Sequence, residues 1–234
     1  MRLIHLDEVD STQNYIKLHP EFGDGTAVLA SSQTAGRGRL GRSFASPKNL
    51  GMYLSVVLPP NTQNITPIAA VAGRRALARV GVDCGIKWVN DLVVERGGAF
   101  RKLCGILAEL SGGRLILGVG IDIGQRESDF PPELRSICTS VALEGGRTVT
   151  PREMAEIFLD ELGRALALDE DALYDEYSAR CVTIGRAVEV KRVPSDPGRT
   201  AVAVALTRDF AVEVAYPDGE REVVFSGEAS LRLG

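Results

Sequence analysis

Histidine is nearly absent from this chain: His5 and His19 are the only two in 234 residues. The four cysteines, Cys84, Cys104, Cys138 and Cys181, stand 20, 34 and 43 residues apart, with no C-x-x-C pair. These shortages argue against a zinc site or a disulfide framework and for four buried or free thiols. No apolar run approaches the roughly 18 residues that a membrane helix needs. Asp7-Glu8 falls where a secretory signal would continue its apolar core, so no targeting segment is visible and the cytoplasm is the expected compartment. Internal repeats and low-complexity tracts are missing. An excess of positive charge is missing too: 27 basic residues face 31 acidic ones, a net charge of −4, which disfavours a general nucleic-acid coat.

What is present is ordinary globular composition, with 44% apolar and 25% charged residues. The length suits one large domain or two unequal ones. Leu3 to Val9 reads as extended, and Asp10-Ser11-Thr12 offers N-cap side chains for a short helix to about Leu18. Thr26–Ser31 and Met52–Leu58 read as strands, and a helix starts at Thr66-Pro67 and ends at Gly81. Gly85–Trp88, Leu92–Val94, Leu103–Leu110 and Leu115–Ile123, punctuated by Gly97-Gly98 and Gly112-Gly113, describe antiparallel hairpins. A long loop over Gly124–Gly146 follows. Thr150-Pro151-Arg152-Glu153 has the form of a capping box opening a helix to about Leu168, with another helix over Asp171–Arg180. From Val182 the chain alternates apolar and polar residues, as in Ala187–Lys191 and Ala211–Ala215, with turns at Pro194–Gly198 and Pro217–Gly219. The expected class is therefore α+β: a mixed, largely antiparallel sheet with helices packed on it over residues 1–181, and a small β-barrel over residues 182–234.

Three segments carry chemistry. In Gly36-Arg37-Gly38-Arg39-Leu40-Gly41-Arg42, three glycines let backbone N–H groups approach an anion and three guanidiniums offer forked donors for carboxylate and phosphate. The stretch is neither a P-loop nor a Rossmann turn, because the required spacing and following helix are missing. A plain basic surface loop, or an RNA-gripping segment, remains the alternative on pattern alone. Lys87-Trp88-Val89-Asn90-Asp91 offers a cation, a stacking ring, an amide and a carboxylate, a set able to grip phosphate, base and Mg²⁺. Arg101–Glu109 is a strand with a lysine, Lys102, at its start, where a solvated edge lysine is the usual reading.

In this order, and together with Asp10-Ser11-Thr12-Gln13, Gln33, Gly118-Val119-Gly120-Ile121 and the closing Gly227–Arg232, these segments resemble the catalytic domain of biotin protein ligases over essentially the whole chain. Lipoate protein ligases share that fold but would not be expected to carry the arginine loop. The resemblance implies a class II synthetase-like catalytic domain, an SH3-like terminal barrel, and an enzyme that joins biotin to ATP and passes the biotinyl group to a lysine of a biotin carboxyl carrier protein. It implies biotin contacts from Ser11, Thr12, Gln13, Gln33, Arg37, Gly38, Arg39, Lys102 and Gly105. ATP contacts would come from Arg37, Arg39, Arg42, Phe44, Lys87, Trp88, Asn90, Asp122, Glu228 and Arg232. Lys102, Arg39 and Arg37 would be catalytic, and Asp91 would hold Mg²⁺ with the ATP phosphates. A homodimer is the leaning. Because the catalytic pattern begins by residue 10, a monofunctional ligase without a DNA reader is expected.

Three residues depart from the family pattern. Val89 replaces a usual proline, Phe44 stands where tryptophan is common, and Asp122 follows Gly-x-Gly-Ile where asparagine is common. Only the last changes chemistry, since an amide donates and accepts whereas a carboxylate only accepts. Weaker or reoriented adenine binding is the expected consequence. A non-catalytic biotin sensor, a lipoate ligase-like acyl transferase and an RNA-binding module are the competing readings.

Overall fold

The computed structural model describes residues 1–192, 197–225 and 230–233, Leu40 and the last four as backbone. The elements run β1 (Arg2–Val9), α1 (Thr12–Leu18), β2 (Thr26–Gln33), β3 (Gly51–Leu58), α2 (Ile65–Arg79), β4 (Gly85–Lys87), β5 (Asp91–Arg96), β6 (Ala99–Ser111) and β7 (Arg114–Asp122). They continue with α3 (Pro151–Ala165), α4 (Glu170–Ser178), β8 (Ala187–Lys191), β9 (Arg199–Leu206), β10 (Val212–Ala215), β11 (Arg221–Val224) and β12 (Ser230–Leu233).

The first seven strands form one sheet in the order β1-β2-β3-β7-β6-β5-β4. Only β1 and β2 run parallel; every other neighbouring pair is antiparallel, as the glycine-separated runs predicted. Alternation along the strands splits the side chains between two faces. Leu29, Leu54, Val56, Leu117, Val119 and Ile121 join α2 and α3 in the main core, while Val28, Val57 and Ile116 pack against Ile16 of α1 on the opposite face. The α1 face is where the candidate site lies.

One irregularity there matters for function. Leu103 and Cys104 are neighbours yet both are fully buried in the main core, which strict alternation forbids. A register shift between β5 and β6 at Leu92/Val93 accounts for it, pairing Leu92 with Cys104 and Val93 with Lys102. Such a bulge re-aims the residues beyond it. Lys102 is thereby turned to the same face as Gly105, where simple alternation would have pointed it at the core. Its backbone is then held by the loop segment beyond β7, accepting from Thr139 N–H at 2.8 Å and donating to Ile137 C=O at 2.7 Å.

The second sheet is antiparallel, in the order β11-β10-β9-β8-β12. It is not a separate core: Val188, Val190, Ala203, Val212 and Val214 belong to the same buried cluster as the large sheet. Phe210 is the joint, stacking edge-on against Tyr177 at 5.3 Å and accepting from Trp88 Nε1–H at 2.7 Å through its carbonyl.

Two capping expectations need correction. Thr150 does accept from Glu153 N–H at 3.1 Å, but the Glu153 carboxylate goes to Arg147, so the box is half made. At α1 the N-cap position, Ser11, makes no side-chain cap. Asp10 instead holds the Ser11 N–H at 2.6 Å and Asn14 Nδ2 at 2.8 Å, leaving the Ser11 and Thr12 hydroxyls for the interior. The Pro194–Gly198 turn falls largely outside the described residues.

Candidate active site

A partly open cavity lies on the α1 face of the large sheet, lined by residues of α1, β2, the arginine loop, β3, β6 and β7. Its floor is bare backbone. Gly105 and Gly120 are direct cross-strand partners, so β6 and β7 carry no side chain at their centre. A Cβ at Gly120 would come within 2.6 Å of the Phe44 ring, and one at Gly105 within 3.0 Å of Lys102 Nζ. Glycine here is a matter of space, letting an aromatic ring and an ammonium lie flat on the sheet.

The end of the cavity beneath α1 is polar and neutral. Gln33 Oε1 accepts from Thr12 N–H at 2.9 Å and from its hydroxyl at 3.2 Å, while Gln33 Nε2 donates to Ser46 Oγ at 2.9 Å. Thr12 Oγ1 lies 2.7 Å from Ser55 Oγ, and Gln13 Nε2 donates to Leu107 C=O at 3.0 Å. A connected set of hydroxyls and amides with no ionised member suits a neutral ligand group that both donates and accepts. Ser55 was missed by the sequence reading, though a signal exists: it is the one polar residue between Met52 and Leu58, and a buried hydroxyl in a central strand must find a partner.

The opposite end is cationic. Lys102 Nζ sits 2.7 Å from Asp91 Oδ1, and 6.0 Å from the centre of the Phe44 ring. Burial alone would lower the lysine's pKa, but the charge and hydrogen bond of Asp91 outweigh it and hold the ammonium above its ordinary value. Arg39 Nη1 donates to Asn90 Oδ1 at 3.3 Å. Burial lowers the Arg39 pKa, Asp91 opposes that, and Arg42 adds like-charge repulsion. Asn90 is locked in turn, donating from Nδ2 to Ile106 C=O at 2.9 Å. Arg37 also lines the cavity, but its guanidinium reaches outward to Asn14 and Glu109.

Ser11, Thr12, Gln13, Gln33, Arg37, Gly38, Arg39, Phe44, Asn90, Lys102 and Gly105 are thus brought together around one cavity. Arg42 is exposed at the loop's end, and Lys87 pairs through its backbone with Asp91 without lining the cavity. Trp88 does not line the cavity: 3% exposed and bonded to Phe210, its indole joins the two sheets. Asp122 is not among the residues that line the cavity: it ends β7 on the face that carries Gly118 and Gly120, 5% exposed, and accepts from Gln125 Nε2 at 2.5 Å. Burial pushes its pKa up to about 8, against the opposing effects of Lys102 and Gln125. Asp91, expected to hold Mg²⁺ together with the ATP phosphates, is paired through Oδ1 with Lys102 Nζ. Among the described residues no group of three or more His, Cys, Asp or Glu side chains could hold a metal, so Mg²⁺ does not fit a site made by the protein alone. Glu228, and the side chain of Arg232, lie outside the described residues.

A sequence profile of the biotin/lipoate A/B protein ligase family matches residues 6–125, which span the cavity-lining residues just described. The chain belongs to this family. It is 33% identical over 224 residues to the biotin--[acetyl-CoA-carboxylase] ligase of Mycobacterium tuberculosis, covering 90% of this chain and 80% of that protein. It is 34% identical over 160 residues to the bifunctional ligase/repressor BirA of Bacillus subtilis, covering 63% of this chain. The chain spans about half, 48%, of that relative's length. Among solved structures, the biotin protein ligase of Aquifex aeolicus in complex with biotin and ATP superposes with a TM-score of 0.84 at 28% identity, covering 100% of this chain and 99% of that one. The biotin and lipoate branches share the family name. The arginine loop, which now lies against the cavity, is the feature that the sequence reading set on the biotin side.

Proposed function

We propose that this family member is an ATP-dependent biotin protein ligase. The observation that carries the reading is the polarity of this cavity: neutral donors and acceptors at the α1 end, Lys102 and Arg39 at the other. Biotin has a neutral ureido ring at one end and a carboxylate at the other, and the relatives are named for that substrate.

On this reading Thr12, Gln13, Gln33 and Ser11 hold the ureido ring, and the carboxylate extends across the Gly105–Gly120 floor toward Lys102. The carboxylate oxygen attacks the α-phosphorus of ATP, the bond to the β-phosphate breaks, and pyrophosphate leaves. Two anions must approach for this, and at about 4 Å with an effective dielectric near 20 each like-charge pair costs on the order of 4 kcal/mol. Lys102 and Arg39 are fixed cations at that point and offset the cost without reorganising. The Asp91 partner keeps Lys102 charged and poised rather than free to wander. Arg42, Lys87 and Arg232 would serve the phosphates and nucleotide, and Mg²⁺ would arrive with the phosphates. The lysine amine of a biotin carboxyl carrier protein then attacks the acyl carbon, and AMP leaves. Residues 1–181 would form the catalytic unit and 182–234 the terminal barrel, with a homodimer as the assembly and the cytoplasm as the compartment.

The test combines the purified chain with ATP, Mg²⁺, biotin and a biotin carrier domain, following pyrophosphate and carrier labelling. Both products are expected, each dependent on biotin. Turnover with lipoate and not biotin would move the chain to the lipoate branch, and no turnover with either would remove the ligase reading.

A further inference from the structure

Glu109 takes no part in the chemistry just described, yet three elements converge on it. It stands on β6 two residues beyond Leu107, whose carbonyl anchors Gln13 of α1. Its Oε2 accepts from Lys17 Nζ of α1 at 3.1 Å, and its Oε1 pairs with Arg37 Nη2 of the arginine loop at 3.4 Å. Arg37 also donates from Nη1 to Asn14 Oδ1 at 3.1 Å, and Asn14 is oriented by its own bond to Asp10 at 2.8 Å. Asp10, Asn14, Arg37, Glu109 and Lys17 therefore form one chain of contacts across the mouth of the cavity, joining helix, loop and sheet.

The backbone of the loop is tied mainly to itself: Gly38 N–H donates to Arg42 C=O at 2.7 Å, and Phe44 N–H to Gly36 C=O at 2.9 Å. Arg37 is its outward grip on the rest of the protein at the α1 side. Glu109 and Lys17 are only 25% and 24% exposed, so the pair is screened less than an open surface bridge, while Arg37 at 42% remains accessible to salt.

We infer that Glu109 is a positioning residue that clasps Arg37, and through it the arginine loop, over the cavity, and that this clasp slows escape of the acyl-adenylate to water. The inference rests on the ligase reading above. An acyl-phosphate anhydride survives only while water is kept from it and while it stays bound until the carrier lysine arrives. A clasp made of one ion pair and one hydrogen bond holds the loop yet can be broken when the carrier must enter.

The experiment uses the full chain with radiolabelled biotin, ATP and Mg²⁺ and no carrier, measuring biotinyl-AMP released into the filtrate beside pyrophosphate formed at saturating substrates. Glu109→Gln is expected to release adenylate roughly two- to fivefold faster, the range an ion pair of this exposure supports, with the first-turnover burst of pyrophosphate close to the native rate and the steady-state pyrophosphate rate rising in step with release. Lys17→Met, which leaves Glu109 to Arg37 alone, is expected to release it no faster than the native protein. Raising salt should speed native release toward that of Glu109→Gln and leave the variant's rate unchanged. Equal leakage from Lys17→Met and Glu109→Gln would reduce Glu109 to a helix-to-sheet tie and overturn the clasp, as would salt-independent native release. If the native chain forms no biotin-dependent pyrophosphate, the ligase reading has failed, and the clasp with it.

Discussion

Asp122→Asn isolates a buried charge and lets its magnitude be worked through. The Asp122 carboxyl is 5% exposed at the end of β7, opposite Gly51 of β3, and its pKa rises to about 8 from an ordinary 3.8 because burial disfavours the anion. An acid whose folded pKa is raised contributes stability that is complete below its unfolded value and is lost as pH rises through the folded one. The native protein should therefore lose stability between about pH 4 and about pH 8, and level off above. A difference of about four units at about 1.4 kcal/mol each gives a ceiling on the order of 6 kcal/mol, which structural relaxation will reduce. Asparagine removes the titratable charge and keeps the acceptor that Gln125 Nε2 uses. It also adds a donor beside Gln125 Oε1, a buried acceptor with no partner among the described residues. Urea unfolding of both proteins at pH 5, 7 and 8.5 is the assay. The variant is expected to gain at least about 1 kcal/mol at the highest pH, with the gain shrinking toward pH 5. A gain independent of pH, or a loss at pH 8.5, would refute the assignment of a buried, reluctantly ionised carboxyl. The same variant should bind ATP as well as the native protein or better, and a large loss would refute the nucleotide part.

Lys102→Gln should lower biotin-dependent pyrophosphate formation by roughly a hundredfold or more, as loss of a fixed charge at a developing anion does; a change under tenfold would take Lys102 out of the chemistry. Arg39→Ala should slow adenylation or let biotinyl-AMP escape, and unchanged turnover with unchanged adenylate retention would refute its role. Gly120→Ala should destabilise the fold by about 1–3 kcal/mol in thermal melting, because the added methyl meets the Phe44 ring at 2.6 Å. Trp88→Phe should cost about 1–3 kcal/mol, leaving the buried Phe210 carbonyl unpaired, while the KM for ATP stays near native. A large rise in that KM at unchanged stability would return Trp88 to the nucleotide site.

Much of the site could be read from the chain because its parts are local. Gly36–Arg42 packs its glycines and arginines into seven consecutive residues, and three guanidiniums so close in an acidic protein call for an anion wherever they lie. The helix signal at Thr150-Pro151 and the glycine pairs between strands are equally local, and the elements formed where those residues stand. Local pattern also says which residues are polar enough to need partners. It does not say which partner each will find.

That choice belongs to the tertiary structure. Trp88 is an aromatic beside a lysine in the sequence, and only the docking of the second sheet through Phe210 turns it inward. Alternation from Gly105 would send Lys102 into the core, and the β5–β6 bulge reverses it. The bare floor requires Gly105 to meet Gly120, a register set by strands whose pairing runs from Cys104 to Ser111. Arg37 and Glu109 meet only because α1, the loop and β6 share one face of the sheet. The sequence by itself determined the chemical inventory and the class of anion it serves, because charge, size and local backbone preference are carried by neighbouring residues. Folding alone decided which cations face the cavity, which carboxylate restrains them and which aromatic holds the sheets together, because those pairings depend on strand register and packing between residues far apart in the chain.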